Sequence, residues 1–268
     1  MTKIITFNVN GIRATTRKGF WRWFADQDAD VLCVQELKAH AHQLPEEARP
    51  AGYFRYLHCA KKPGYSGVAL YTRREPDAVH FGLNAVDDAF DWSMMDAEGR
   101  FIQADFGKLR LISVYFPSGS SSPERQSLKM VFLANFLPYV QGLKEAGCDV
   151  IICGDVNIAH QNIDLKNWRG NQKNSGFLPD ERAWFDQMLD LGIVDVLRAL
   201  DATRAQYSWW SNRGKARANN VGWRIDYHLC TPHIAGMCSA VDVYTDAWFS
   251  DHAPVVATFD AALWQCRE

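Results

Sequence analysis

A series of short runs rich in apolar and β-branched residues, most of them closing on or just before a polar side chain, most constrains what this chain can fold into. Residues 3–8, 30–35, 67–72, 110–115, 149–154, 224–230 and 255–259 form such runs. Their length and composition predict strands, because a helix buries a comparable face only over ten or more residues. Between them lie stretches with apolar residues at helical spacing. Residues 19–27 form one. Residues 123–145 form another, carrying Leu128, Val131, Phe132 and Phe136. A third opens at Pro179-Asp180-Glu181 and carries Trp184, Phe185, Met188 and Leu189. Its acids sit where a helix N-terminus favours negative charge. Pro138 is expected to bend or break the second helix, since proline removes an N–H and crowds the preceding turn. Strands interleaved with helices give an α/β or α+β architecture. The polar stretches 118–122 and 212–220 are short enough to be loops, so residues 1–268 read as a single domain.

Hydrophobic residues make up 47% of the chain, enough to bury a sizeable core and too many for a disordered one. The formal net charge is -2, so any nucleic-acid surface must be local. Cys33, Cys59, Cys148, Cys153, Cys230, Cys238 and Cys266 are odd in number and form no C-x-x-C pair. That usage predicts reduced thiols in the cytoplasm, neither a disulfide frame nor a zinc site. Residues 1–7 lack a secretory apolar core and read as a strand. No apolar run approaches the roughly 18 residues of a membrane span, so no membrane contact is expected. Residues 30–36 and 149–155 echo each other, each a buried-type run ending in an acid. Two similar half-domains would produce the echo, and so would two unrelated central strands.

Polar residues cluster just beyond the strand ends, where loops on a rigid scaffold carry chemistry. They are Asn8 and Asn10, Glu36, Tyr115, Asp155 and Asn157, Asp226, and Asp251-His252. Each has an ordinary reading. Asn8-Val9-Asn10-Gly11 contains a hairpin-turn dipeptide. Gly154-Asp155-Val156-Asn157 suits a turn, and Asp251-His252 a cap. Tyr115 suits a core position with one satisfied hydroxyl. Their joint presence in this order is the functional signal.

Together with their neighbours these residues resemble a family. The segments are Phe7-Asn8-Val9-Asn10-Gly11-Ile12-Arg13-Ala14, Gln35-Glu36-Leu37-Lys38, Gly64-Tyr65-Ser66-Gly67-Val68, Gly154-Asp155-Val156-Asn157, Asn219-Asn220-Val221-Gly222-Trp223-Arg224-Ile225-Asp226-Tyr227 and Ser250-Asp251-His252-Ala253-Pro254. They are similar to the exonuclease III class of abasic-site endonucleases, in its compact bacterial form, within the endonuclease–exonuclease–phosphatase superfamily. The likeness runs from residue 3 to about residue 260. The Gln-Glu and Ser-Asp-His motifs mark the superfamily. Asn171-Gln172-Lys173-Asn174-Ser175-Gly176-Phe177 and the Trp223 to Asp226 segment mark its DNA-repair branch. The fold implied is a four-layered α/β sandwich, two packed central mixed sheets flanked by helices.

The resemblance implies a nuclease that hydrolyses the phosphodiester 5′ to abasic sites and processes damaged 3′ ends. Its partner would be double-stranded DNA with such lesions, met by a monomer. Glu36 would be the main ligand of Mg²⁺, with Mn²⁺ as substitute, supported by Asn10 and Asp251. Vertebrate relatives carry aspartate where Asn10 stands, so one negative charge is missing here. Asp155 would orient or deprotonate the attacking water. His252, oriented by Asp226, would bind the phosphate or act on the water. Which of the two is the base stays open. Tyr115, Asn8 and Asn157 would donate to the scissile phosphate. Arg13, Asn171, Asn174, Trp209, Arg213, Trp223 and Ile225 would contact DNA, with Trp209, Trp223 and Ile225 around an extruded sugar. A superfamily phosphatase or phosphodiesterase acting on inositol phosphates or sphingomyelin would keep the acidic motifs but lack the 171–177 and 223–226 segments. A catalytically inactive DNA-binding relative would have lost an acid or the histidine. Here Glu36, Asp155, Asp226, Asp251 and His252 are all intact.

Overall fold

Every run expected as a strand contains one in the computed structural model, which describes residues 1–265. In chain order the strands are β1 (Thr2–Asn8), β2 (Val31–Gln35), β3 (Phe54–His58), β4 (Val68–Thr72), β5 (Ala78–Phe81), β6 (Phe101–Phe106) and β7 (Leu109–Tyr115). They continue as β8 (Asp149–Asp155), β9 (Val194–Asp195), β10 (Trp209–Trp210), β11 (Gly222–Trp223), β12 (Asp226–Cys230), β13 (Cys238–Val243) and β14 (Val255–Phe259). The helices are α1 (Ile12–Arg17), α2 (Phe20–Gln27), α3 (Ser93–Asp96), α4 (Pro123–Glu145), α5 (Trp168–Asn171), α6 (Pro179–Asp190), α7 (Val196–Leu200) and α8 (Pro232–Gly236).

Two six-stranded sheets form the centre, in the orders β13-β14-β1-β2-β4-β3 and β5-β6-β7-β8-β12-β9. Their pairing patterns are identical. Each sheet has one parallel pair in the middle, β1 with β2 and β7 with β8, and antiparallel neighbours to either side. β2 and β8 fill the same place in each order. The echo between residues 30–36 and 149–155 is therefore an equivalence of position within two similar sheets.

Alternation along the strands divides most of the apolar residues described into three large cores and so makes four layers, with a small fourth cluster of Ala159, Leu165, Phe177 and Ile225 apart from them. Ile4, Val31, Cys33, Leu111, Ile151, Cys153 and Cys230 fill the space between the sheets. Ile5, Phe7, Leu32 and Val34 face Ile12, Phe20, Trp21 and Phe24 of α1 and α2. Ile112, Val114, Val150 and Ile152 face Phe132, Phe136, Trp184 and Phe185 of α4 and α6. The strands β2 and β8 are buried on both faces, which is why they read as unbroken apolar runs.

One local expectation is corrected: Pro138 does not break its helix, and α4 runs continuously from Pro123 to Glu145. The carbonyl that Pro138 leaves without an intrahelical donor belongs to Ala134, and both residues lie on the exposed face. Water can satisfy that group, while Phe132, Phe136, Tyr139 and Val140 hold the opposite face in the core. The Asn10-Gly11 step, with φ of 44° and 103°, is a turn but not a hairpin. It leads from β1 into α1, and β1 lies parallel to β2.

Cys33, Cys59, Cys148, Cys153, Cys230 and Cys238 are free, and Cys266 lies outside the described residues. No helix among the described residues is long and apolar enough to cross a membrane.

Candidate active site

Strand parity places the site. Asn8, Tyr115, Asp155 and Asp226 share the faces of Ile4, Leu111, Cys153 and Cys230, so all four point into the space between the sheets. Each stands at a strand terminus. Register brings them level, since Asp155 pairs with Tyr115 on one side and with Asp226 on the other. The result is a polar cluster at one mouth of the sandwich.

Glu36 reaches this mouth by leaving the strand geometry. Gln35 already points inward, so an extended Glu36 would face the other way. Its φ of 56° turns it back. A left-handed residue other than glycine costs roughly 1–3 kcal/mol and persists only where its surroundings enforce it. Here Gly11 N–H donates to the Glu36 carbonyl at 2.8 Å, and the next two amides donate to the carbonyls of Gly67 and Ser66 at 3.0 and 2.8 Å. A Cβ on Gly67 would lie 3.3 Å from Leu37 Cβ, in a residue already at φ 87°. The Gly64-Tyr65-Ser66-Gly67 motif thus buttresses the Glu36 turn.

Hydrogen bonds join both halves of the chain. Asn8 Nδ2 donates to Glu36 Oε1 and to Asp155 Oδ2, each at 2.9 Å. Its carbonyl oxygen accepts from the Asn10 amide at 2.9 Å. Both amide hydrogens of Asn8 are therefore engaged, so in this arrangement it clamps the two acids and has none left for a phosphate. Asn157, at φ 56°, spends one amide hydrogen on the Phe116 carbonyl at 3.0 Å and keeps one. Asn10 Nδ2 donates to Asp251 Oδ1 at 2.9 Å, and Trp209 Nε1 to Asp251 Oδ2 at 3.3 Å. His252 Nδ1 lies 2.9 Å from Asp226 Oδ2, and Nε2 3.9 Å from Asp155 Oδ2. Arg100 stacks on the Tyr115 ring at 4.6 Å and donates to its carbonyl at 2.9 Å.

The charges are unequally shared. Burial, reinforced by Asp226 and Glu36, raises Asp155 to about 7. Burial opposes charge on His252, but Asp226 and Asp155 prevail and lift it to about 10. Burial also opposes charge on Glu36 and Asp251. Lys38 and Asn8 nevertheless hold Glu36 below its ordinary value, and His252 and Asn10 do so for Asp251. Burial and the charge of Glu36 keep the Tyr115 hydroxyl protonated, hence a donor.

This mouth is built for a cation. Glu36, Asp155, Asp226 and Asp251 converge there, and carboxylate oxygens of Glu36 and Asp155 lie within 4.8 Å of each other and of a ring nitrogen of His252, which as an imidazolium is a neighbouring charge and not a ligand. The Lys38 ammonium sits 2.7 Å from Glu36 Oε2 and also touches Asn10 Oδ1, marking a place where positive charge is favoured. Of the ligands expected from the sequence, Asn10 and Asp251 form a bonded pair beside Glu36 and stand apart from the close approach of Glu36 and Asp155. Lys38 joins the site although the Gln35-Glu36-Leu37-Lys38 motif implies no role for it; a positive charge two residues from Glu36 is the signal that points to it.

A cavity of about 840 Å³ opens over the cluster. Glu36, Tyr115, Asp155, Asn157, Asp251 and His252 form its floor, and Trp209, Trp223, Ile225, Arg213, Asn174 and Ser175 its walls. The 118–123 loop closes another side; of this loop the sequence singled out only Ser118, which stands where vertebrate-type relatives have asparagine. Asn171 is not part of the lining. Its Nδ2 donates to the Asn167 carbonyl at 2.8 Å and its Oδ1 accepts from Asn174 at 2.7 Å, so it supports Asn174. Arg13 is exposed on α1.

A four-layered sandwich with a carboxylate cluster at one mouth is the arrangement against which the likeness to known proteins can be read. The sequence profile of the Endonuclease/Exonuclease/phosphatase family matches residues 5–252, and the chain belongs to that family. It is 37% identical over 255 residues to an exodeoxyribonuclease of Bacillus subtilis, covering 94% of this chain and 97% of that protein. It is equally 37% identical to the DNA repair nuclease APEX1 of Danio rerio, over 94% of this chain and 80% of that one. An AP endonuclease from Archaeoglobus fulgidus superposes with a TM-score of 0.86 at 32% identity, over 97% of this chain and all (100%) of that one. A Neisseria 3′ phosphatase bound to a product DNA hairpin superposes with a TM-score of 0.84 at 31% identity, over 97% of this chain and 100% of that one.

Proposed function

We propose that this chain is a divalent-metal-dependent DNA-repair nuclease that hydrolyses the phosphodiester 5′ to abasic sites and also processes damaged 3′ ends. The observation that carries the reading is the continuity of the carboxylate cluster with a cavity walled by Trp209, Trp223 and Ile225. A sugar without its base is small and amphipathic and suits such walls. Extruding it is cheapest because no base pair must be broken. The neighbouring phosphate then lies over His252, Asn157 and Tyr115. The names of the relatives, among them nucleases, an AP endonuclease and a 3′ phosphatase, support the same chemistry.

The residues divide the reaction as their charges suggest. The His252 imidazolium, held by Asp226, neutralises a phosphoryl oxygen. Asp155, with its raised affinity for a proton, orients the attacking water and takes its proton. Tyr115 and the free hydrogen of Asn157 donate to the phosphate as charge builds on it. Glu36 would hold Mg²⁺, or Mn²⁺, with Asn10 and Asp251 supporting it and water completing the shell. Bound there, the ion supplies positive charge opposite the developing negative charge of the phosphoryl group. Arg213 in the cavity lining and the exposed Arg13 of α1 neutralise backbone phosphates, so duplex affinity falls with salt.

A nicking assay tests the proposal. Duplex DNA with one internal abasic analogue should be cut on its 5′ side in Mg²⁺ and left intact in chelator. A companion duplex ending in a 3′ phosphate should lose it. Failure on both substrates, or full activity in chelator, would overturn the assignment.

A further inference from the structure

Beneath the cavity lies a fully buried ion pair, Lys129 of α4 and Glu181 of α6, both at 0% exposure with 2.6 Å between Nζ and Oε1. Burying two charges is costly unless their remaining hydrogen-bonding capacity is met, and such a pair is no evidence of stabilisation in itself. What the remaining bonds reach is informative. Glu181 Oε2 accepts from the backbone amides of Gly176 at 2.6 Å and Leu178 at 3.0 Å. Its Oε1 also accepts from Ser175 Oγ at 3.3 Å and from Gln126 Nε2 at 3.1 Å. Ser175, Gly176, Leu178 and Gln126 all line the cavity. Lys129 Nζ donates in the other direction, to the Asn157 carbonyl at 2.8 Å. Asn157 follows two residues after Asp155, and its amide donates to Asp155 Oδ1 at 2.9 Å.

The carboxylate thus gathers one wall of the cavity, and the ammonium ties that wall to the turn carrying the reactive acid. The fit at this seam is close. Gly176 has φ 93°, and a Cβ there would lie 3.1 Å from both the Asn157 carbonyl and the Trp223 ring. The Gly176 carbonyl accepts from the Ala159 amide at 2.8 Å. A shift of the 174–178 segment would change the gap between Ser175 and Trp223 before it disturbed Glu36 or His252, which are held from other elements.

We infer that Lys129 and Glu181 are positioning residues that fix the width of the sugar-binding cavity relative to the 155–157 turn, and so set which substrates the site accepts. The inference rests on the reading of the cavity as an abasic-sugar pocket. Glutamine at 181 keeps the shape but turns an amide donor toward other donors, so part of the hub must open. A substrate that fills the cavity with a sugar should feel this. One that presents only a terminal phosphate to the floor should not.

The experiment compares internal incision at an abasic analogue with removal of a 3′ phosphate. For Glu181→Gln, KM for incision should rise on the order of tenfold, with kcat and 3′-phosphate removal changed far less, because binding in the cavity is lost and the chemistry is not. Lys129→Met combined with Glu181→Gln removes the stranded charge and should fold like wild type while keeping the altered substrate ratio. A proportional loss of both activities, or failure of the double variant to fold, would make the pair structural and overturn the inference alone. Wild type that does not incise the abasic duplex would overturn the pocket reading together with it.

Discussion

Asp155 and Asp226 are register partners across β8 and β12, so two acids face each other directly where the strands leave the sheet. Like charges opposite one another repel. His252 lies beside both, with Nδ1 at 2.9 Å from Asp226 and Nε2 at 3.9 Å from Asp155. The imidazolium is what makes the pairing tolerable, and Asp226 contributes through the ring it holds. His252→Asn and Asp226→Asn should each slow single-turnover incision, roughly 10²–10³-fold for the histidine as a stabiliser of phosphoryl charge. Their effects should not multiply in the double variant, since an orienting acid acts only through the group it orients. Losses that multiply would break the unit.

Glu36 is the acid the fold takes most trouble to present. Glu36→Ala should depress incision by about 10³-fold or more, as expected when positive charge opposite the phosphoryl group is lost. Direct Mg²⁺ or Mn²⁺ binding, followed by calorimetry, should weaken in parallel. A variant that binds the ion like wild type would remove Glu36 as the ligand.

Ser175 lines the cavity with Asn174 and Trp223. Ser175→His should crowd the entrance, depressing internal incision at least about tenfold while sparing 3′-end processing, since substrate choice here is set by shape. Equal harm to both substrates would mean that the wall does not select by size.

His228, between the sheets, is buried with neither ring nitrogen hydrogen-bonded. Burial lowers it to about 4, well below its ordinary 6.5. The unfolded chain therefore takes up this proton first as the pH falls. Above about pH 6.5 the ring is neutral in both the folded and unfolded chain and adds no pH dependence, and stability drains away as the pH drops toward about 4. His228→Leu should flatten that acid limb, seen as a smaller fall in Tm between pH 6.5 and 5. An unchanged slope would show that the ring is not the titrating group.

The strands that position the site were legible because they are buried on both faces or close on an acid. β3, β5 and β13 escaped notice because each is an edge strand with exposed residues breaking the apolar run. β6 was hidden by Gln103 and Asp105. At the site, the identities of Glu36, Asp155, Asp226 and His252 could be read from motifs. Their mutual geometry could not, since it depends on strand parity and on the left-handed turn at Glu36. The clamp made by Asn8 was equally hidden, because its partners lie 28 and 147 residues away. The Lys129–Glu181 hub spans 52 residues and looks in sequence like two ordinary surface charges.

β1 is flanked by β2 on one side and by β14 on the other, with Thr2 beside Phe259. The first sheet therefore waits for the last part of the chain. While the chain is being synthesised, β1 through β4 can assemble with one bare edge, and Asn10 has no Asp251 to meet. The second sheet lacks only β9 and β12 by the time Asp155 has emerged. The pairing of Asn10 with Asp251 and of β1 with β14 therefore closes last, after Glu36, Asp155 and Asp226 are already in the chain.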